Sequence, residues 1–232
     1  MITFNGIGLE DIAPAMIEDI RVSPIKYNPV VRPRAIGWGS EFIRAHGGER
    51  TIAITFAILE QNRTLRHEHL MNVSAWAKTN AEYLLELPED PSRGLYCVCT
   101  SKPEPSTRQW WESKLRIVFT CFSNPYWTSK NKKSVACGTQ FVALGDAPPL
   151  MTIEHTFNAS ASNVAYSDGT DTMTFSTIPA GSMVIDLNKQ TAAVAGSSIM
   201  GNFVSTGTFL VPKTGVQTIT GTGTVKYRER FE

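Results

Sequence analysis

The cysteine and histidine residues are the first candidates for chemistry, because their side chains bind transition metals. Cys97 and Cys99 lie two residues apart in a run of alternating apolar positions, and a zinc site there would need further ligands brought in from elsewhere. A pair within a strand lacks the spacing of a zinc knuckle, so the pattern favours reduced thiols packed in a core. His67 and His69 are also two residues apart in a predicted helix, where they point in different directions. The sequence therefore predicts no metal site and no cofactor.

Motifs for nucleophilic, phosphate or acid–base chemistry are also missing from the sequence. No serine has glycine at both i−2 and i+2, and no glycine-lysine-serine/threonine phosphate loop occurs. The adjacent acidic pairs Glu10-Asp11, Glu18-Asp19 and Glu89-Asp90 diverge along the chain, whereas acid–base work needs carboxylates that converge across a cleft. Asp168-Gly169-Thr170-Asp171 has too few ligands for calcium and is typical of a turn. These observations predict that the protein is not an enzyme.

Composition and charge limit the partners. The 232 residues are 42% hydrophobic and 19% charged, which excludes a disordered tail or a fibre. A formal net charge of +1 provides no global field for a nucleic acid or an anionic membrane. We therefore expect recognition by shape, with no membrane association and no sequence-specific nucleic-acid binding. No signal peptide is evident at the amino end.

Alternating apolar residues predict a sheet in the first part of the chain. Residues 50–58 place Ile52, Ile54, Phe56 and Ile58 on one face, the period of a half-buried strand. The same alternation recurs at 83–87, 95–99 and 115–121. Residues 63–79 lack glycine and proline and follow a possible N-cap, Asn62, which predicts one helix packed on the sheet. His69 falls within its apolar arc and is expected to be buried and hydrogen-bonded, and Leu65 falls within the same arc.

The composition changes near residue 150, where charged residues become rare and serine, threonine and glycine frequent. This predicts two domains, 1–149 and 150–232, with residues 123–150 as a connector that carries Lys130, Lys132 and Lys133. Short alternating runs separated by turn signals predict an all-β sandwich or jelly roll for the second domain. The predicted strands lie at 151–157, 173–175, 183–187, 209–211, 217–220 and 225–230. The fold class is therefore mainly β, with an α+β amino-terminal domain.

Four aromatic residues are candidates for an interface. Trp110-Trp111 would stack on a sugar or a protein neighbour if exposed, or one of the two is buried. The proline- and glycine-rich stretch 29–48 contains Trp38 and Phe42. It is either an arm that embraces a neighbouring subunit or an ordinary long loop.

The order of these segments resembles the distal tail proteins of phages with long, non-contractile tails. The likeness extends over nearly the whole chain, and its specificity lies in the order and spacing of generic strands. The segments that carry it are 50–87 continuing into 95–98, Asn124-Pro125-Tyr126-Trp127, 183–191 and 220–231.

The resemblance implies a structural protein of the virion tail, assembled in the cytoplasm of a bacterial host. Six copies form a ring, single or doubled, through the amino-terminal domains, with a central channel for DNA. The implied partners are the tail tube protein, the tape-measure protein, the tail-associated tip or lysin protein and the receptor-binding protein. The carboxy-terminal domain is implied to be galectin-like. The alternative is a carbohydrate-binding β-sandwich module for host-surface recognition.

Overall fold

The structure, a computed structural model, describes residues 1–33, 40–101, 104–108, 112–204 and 206–232, and it describes side chains outside 32–47 and 102–112. The chain divides into two compact units, Met1–Trp127 and Thr128–Glu232. The division falls before the predicted boundary at 149/150. Residues 133–136 belong to the predicted connector 123–150, but they form a strand that pairs with residues 224–227 of the second unit.

The described residues of the first unit form ten strands and one helix, α1. The strands are β1 Thr3–Phe4, β2 Ile7–Gly8, β3 Ala15–Val22, β4 Tyr27–Pro33, β5 Ser40–Gly47, β6 Arg50–Leu59, β7 Tyr83–Glu86, β8 Arg93–Cys99, β9 Glu104–Arg108 and β10 Glu112–Cys121, and α1 is Arg63–Ala77. A short strand, β11, Trp127–Ser129, lies where the two units meet in sequence.

The main sheet of the first unit has the antiparallel order β8-β10-β6-β3, and β9 pairs with β10 beside the end of β8. Alternation decides which face is buried: the even-numbered apolar residues of β6 from Ile52 to Ile58 are at most 1% exposed. Their partners in β10, Leu115, Ile117 and Phe119, are fully buried on the same face. The prediction of these strands is confirmed.

Helix α1 begins where the sequence predicts it. The Asn62 side-chain oxygen accepts hydrogen bonds from the backbone N–H groups of Thr64 (2.9 Å) and Leu65 (3.3 Å), which satisfies two donors at the helix start. Only Val73 and Ala77 are fully buried, whereas Leu65 is 43% exposed, so the predicted apolar arc is narrower than expected. His69 is half-buried, and its Nδ1 lies 3.3 Å from the Ile12 carbonyl oxygen.

An aromatic cluster holds the helix against the core. The ring of Phe4, which is fully buried, lies 4.9 Å from Phe119, 5.7 Å from Trp76 and 6.2 Å from Tyr83 between centroids. The Phe4 contacts with Trp76 and Tyr83 are edge-on, a favourable arrangement for aromatic quadrupoles. The Trp76 indole N–H also donates to the Ile7 carbonyl oxygen at 3.0 Å. The amino-terminal strand is thereby fastened to both helix and sheet.

The second unit is all-β apart from one 3₁₀ turn, Met200–Asn202. Its strands are β12 Lys133–Ala136, β13 Gln140–Ala143, β14 Ala147–Phe157, β15 Ala161–Ser167, β16 Thr172–Ile178, β17 Gly181–Asp186, β18 Thr191–Val194, β19 Ser197–Ser198, β20 Gly215–Thr218 and β21 Thr224–Phe231.

Two layers of antiparallel strands enclose the core of this unit. One layer has the order β19-β18-β17-β14-β21, with β12 at the outer side of β21, and the other contains the pairs β13-β20 and β15-β16. Ile153 and Ile185 from the first layer pack in one cluster with Tyr166 and Phe175 from the second. This arrangement, with one helix in the whole described chain, confirms the mainly β class and the sandwich.

Residues 209–211, predicted as a strand, are extended without a strand ladder. Phe209 and Leu210 are buried at 9% and 1% exposure and belong to the core cluster, while Val211 is 51% exposed. The apolar run therefore reflects an anchored loop rather than a paired strand. The predicted turn at Asp168 is present, and Gly169 adopts a φ of +90° there.

Candidate assembly surfaces

Strands β3 to β6 form one continuous two-stranded ribbon that extends past the sheet. The β3-β6 ladder ends at the pair Val22 and Ile52, and Ser23 then donates its backbone N–H to the Thr51 carbonyl at 2.8 Å. Lys26 donates its backbone N–H to the Glu49 carbonyl at 3.0 Å, and its own carbonyl accepts the Gly48 N–H at 2.8 Å. The β4-β5 hairpin follows directly along the chain. The sheet thus positions the hairpin through an almost unbroken ladder.

The hairpin pairs with no further strand in the described part of the chain. Seven residues of β4 span about 23 Å, at about 3.3 Å per residue. Tyr27 and Val31 are 46% and 53% exposed, although both are large apolar side chains. An isolated two-stranded hairpin is only marginally stable in water. The ribbon therefore has apolar and backbone groups available for a neighbour.

The predicted aromatic contacts fall largely outside the described residues. Trp38, Trp110 and Trp111 lie in undescribed segments, and of Phe42 only the backbone is described, paired with Val31. In the described parts of the predicted stretch 29–48, residues 29–33 pair with residues 40–45. Whether these four residues form an interface stays a prediction.

The main sheet of the first unit ends in two open edges. Among the described residues, no strand pairs with the outer side of β3 or with the outer side of β9. Open edges carry unpaired backbone donors and acceptors, which template pairing with another chain. β3 is eight residues long and has a register shift between Ile17 and Asp19.

Charged side chains accompany the β3 edge. Glu18, at the register shift, forms an ion pair with Lys114 of β10, with 2.6 Å between Oε1 and Nζ. Asp19 forms another with Arg21, with 2.6 Å between Oδ2 and Nε. A shallow depression of about 210 Å³ on the open face of the sheet is lined by Asp19, Arg21, Ala53, Thr55 and Arg116. It arises because the small side chains of β6 lie between longer ones from its neighbours. No pair of carboxylates converges there, so this face offers a polar surface instead of acid–base chemistry.

In the second unit, two of the lysines predicted to lie in a connector, Lys132 and Lys133, form ion pairs with carboxylates. Glu154 lies 2.5 Å from Lys226 and 3.1 Å from Lys132, and Glu229, which is 6% exposed, lies 2.7 Å from Lys133. The hydrogen bond from Lys226 holds the pKa of Glu154 below its usual value, against an opposing effect of burial. These ion pairs fix residues 132–133 to the sandwich.

Two exposed valines lie opposite each other on the outer face of the second layer. Val142 of β13 and Val216 of β20 are register partners and are 47% and 63% exposed, and Leu144 nearby is 56% exposed. This small apolar strip is a second surface available to a neighbour.

Asp168 accepts backbone N–H bonds from Thr170 (2.9 Å) and Asp171 (2.8 Å) and forms an ion pair with Lys213 at 2.6 Å. Burial disfavours its charge, but these hydrogen bonds outweigh that effect and lower the pKa of Asp168. The carboxylate is therefore occupied in a turn.

Within the described ranges, no three His, Cys, Asp or Glu side chains come close enough together to hold a metal ion. No helix in those ranges has the length and apolarity to span a membrane.

Comparison with known proteins identifies solved structures that share this fold. No protein-family model matches the chain, and no curated protein matches it. The chain is similar to the crystal structure of the SPP1 Dit protein, described as a paradigm of the hub adsorption apparatus in Gram-positive infecting phages. That alignment covers 100% of this chain and 98% of the other, with a TM-score of 0.74 and 15% identity.

A second similarity is to a chain in the phage P2 baseplate in its activated conformation with Ca. It covers 94% of this chain and 91% of that one, with a TM-score of 0.52 and 8% identity. At these identities the likeness shows the fold. The resemblance inferred from the order of strands is thus confirmed in the fold: the chain folds, over its whole length, like the SPP1 Dit hub protein.

Proposed function

We propose that this chain is a structural hub protein of a phage tail, the distal tail component that connects the tail tube to the tip or baseplate. The observation that carries the proposal is the full-length match to the SPP1 Dit protein, because it covers both units in one alignment. A shared sandwich alone would match many unrelated folds. The proposed role is structural and not catalytic.

Ring formation is proposed to use the first unit. A contact between the β3 edge of one copy and the β9 edge of the next joins two different surfaces, so it repeats from copy to copy. Such a heterologous contact closes into a ring when the rotation between copies is right. The β4-β5 hairpin, with exposed Tyr27 and Val31, would reinforce each contact by packing on the neighbour.

The proposed ring has six copies, single or as two stacked rings, with a channel for DNA. Its proposed partners are the tail tube, tape-measure, tip or lysin and receptor-binding proteins, in a virion tail assembled in the host cytoplasm. The apolar strip Val142, Leu144 and Val216 leaves the second unit with a surface of its own for such partners.

The mass of the purified chain in solution tests the ring. Six chains of 25.5 kDa give about 153 kDa, which light scattering coupled to size-exclusion chromatography resolves from a 25.5 kDa monomer. Negative-stain images should show a six-fold annulus. Addition of the tail tube protein should supply the missing contacts if the isolated chain stays monomeric. A chain that stays monomeric under both conditions contradicts the proposal.

A hairpin variant tests the proposed contact. Lys26 and Gly48 share a 2.8 Å hydrogen bond, so residues 27–47 can be replaced by an Asn-Gly turn without moving the ends of the ribbon. We expect this variant to keep its circular dichroism spectrum and to lose the ring. The matched control, Val142→Ser with Val216→Ser, removes exposed apolar side chains from the second unit and should keep the ring.

The same preparation tests the carbohydrate-binding alternative. A monomer that binds a defined glycan in an array, and loses binding in Trp110→Ala or Trp111→Ala, would replace the hub proposal. A ring that binds no glycan supports the hub proposal.

A further inference from the structure

Cys97 and Cys121 are two buried thiols on adjacent strands of the main sheet. β8 and β10 are antiparallel neighbours in which Cys99 lies opposite Phe119 and Val98 opposite Thr120. The ladder ends at that pair, and one further step in the same register brings Cys97 opposite Cys121. Both side chains are fully buried in the core of the first unit.

The hydrogen-bond pattern determines how closely this pair approaches. Thr100 donates its backbone N–H to the Val118 carbonyl at 2.9 Å, so residues 100 and 118 form a hydrogen-bonded pair. Such pairs alternate with non-hydrogen-bonded pairs in an antiparallel ladder, and Cys97 with Cys121 is of the second kind. Cα atoms of such a pair are about 4.5 Å apart, within the range that a disulfide spans.

The environment of the pair suppresses ionisation. Burial, and to a smaller extent the neighbouring Cys121 thiol, raises the pKa of the Cys97 thiol far above its usual value. Cys99, two residues along on the same face, is half-buried, and its Sγ donates to the Ser101 carbonyl oxygen at 3.1 Å. The Cys97 thiol is therefore a poor nucleophile in the folded, reduced protein, although the strand register brings it opposite Cys121.

We propose that Cys97 and Cys121 are a redox modification site that closes to a cross-strand disulfide when the chain folds in the presence of a small-molecule disulfide oxidant. The Cys97 thiolate attacks the oxidant, breaking its S–S bond and releasing one small thiol. The Cys121 thiolate then displaces the second small thiol and forms the Cys97–Cys121 bond. Two cysteines are oxidised, one small disulfide is reduced, and both protons pass to the released thiols. The bond ties together the ends of the segment that contains β9.

The test is to refold the full chain in mixtures of oxidised and reduced glutathione, block remaining thiols with an alkylating reagent and map the peptides by mass spectrometry. We expect a linked Cys97–Cys121 peptide that is lighter by two hydrogen atoms. All four cysteines are exposed in the unfolded chain from which refolding starts, so burial does not prevent the reaction. The link should be lost in Cys121→Ser and kept in the matched control Cys137→Ser.

A second readout is stability. A disulfide that closes a loop of about 25 residues should lower the unfolding equilibrium constant by about a hundredfold, because it restricts the unfolded chain. Oxidised wild type and Cys137→Ser should unfold at higher urea than their reduced forms, whereas Cys121→Ser should not. Two results would overturn the proposal: both cysteines remain alkylated while Cys137 carries glutathione, or the dominant link joins Cys99 to either of them.

Discussion

Phe4 provides the sharpest test of what holds the first unit together. It is fully buried and contacts three aromatic rings at centroid distances between 4.9 and 6.2 Å. Phe4→Ala should lower the free energy of unfolding by about 4 kcal/mol, the usual cost of removing a buried aromatic ring. Phe4→Leu keeps most of the volume and loses three aromatic contacts, each about 0.5 kcal/mol, so we expect a loss of about 1.5 kcal/mol.

Urea unfolding followed by tryptophan fluorescence measures both losses, because Trp76 lies against Phe4. The control is Phe122→Ala, since Phe122 is 51% exposed and its truncation should change the stability by less than about 0.5 kcal/mol. If Phe4→Ala costs no more than Phe122→Ala, the aromatic cluster does not stabilise this unit. If the alanine and leucine variants cost the same, the ring contacts contribute nothing beyond volume.

Three further predictions test local features. Asn62→Ala should destabilise the first unit by about 1 kcal/mol in urea unfolding, whereas Asn62→Asp should be nearly neutral because aspartate also caps a helix; equal losses would show that the cap is unimportant. Gly145→Ala should lower the free energy of unfolding by more than about 2 kcal/mol, because a Cβ there collides with the Arg230 carbonyl oxygen. The control Gly138→Ala, also at positive φ but in open space, should lower it by about 1 kcal/mol. Similar melting temperatures for the two variants would contradict this prediction. Glu154→Gln should cost about 1 kcal/mol at pH 7. Since the folded pKa of Glu154 is lowered, its contribution is present above pH 4.5 and lost as the pH falls through the folded pKa, so wild type and variant should converge in acid unfolding curves.

The sequence predicts elements whose signals are local. The N-cap at Asn62 and the alternation in residues 50–58 each depend on nearest neighbours along the chain, and both match the structure. For residues 29–48 the sequence predicts an arm or a long loop and no strand. Pro29 and Pro33 lack the backbone donor that a paired strand uses, and the ribbon tolerates them because both of its strands lie at an edge. The sequence does not predict β12, because Lys133 gives this segment the character of an exposed connector. In the structure the Lys133 charge is paired with Glu229, which lies 96 residues further along the chain.

The candidate assembly surfaces could not be predicted in the same way. Whether a strand lies at an edge depends on the order of strands in the sheet, which the sequence does not give, although the charged residues of β3 are typical of an edge strand. The Cys97–Cys121 pair likewise depends on the register of two strands, although the alternation correctly predicts that both residues face the core. Sequence patterns predict which face of a strand is buried. Which strands lie at the edge of a sheet, and which residues lie opposite each other, depends on the topology.

The character of the β3 edge bears on how a ring could form without general aggregation. A long, flat, apolar edge would pair with any exposed strand, and proteins prevent this with bulges and charged side chains. β3 has both: a register shift at Ile17–Asp19 and the charges of Glu18, Asp19 and Arg21, each held in an ion pair. A partner strand must match this shift and accommodate these charges, so the edge rejects most strands. The devices that usually keep an edge unpaired would then select one partner, a second copy of the same chain, and the marginal β4-β5 hairpin would gain stability only after that contact forms.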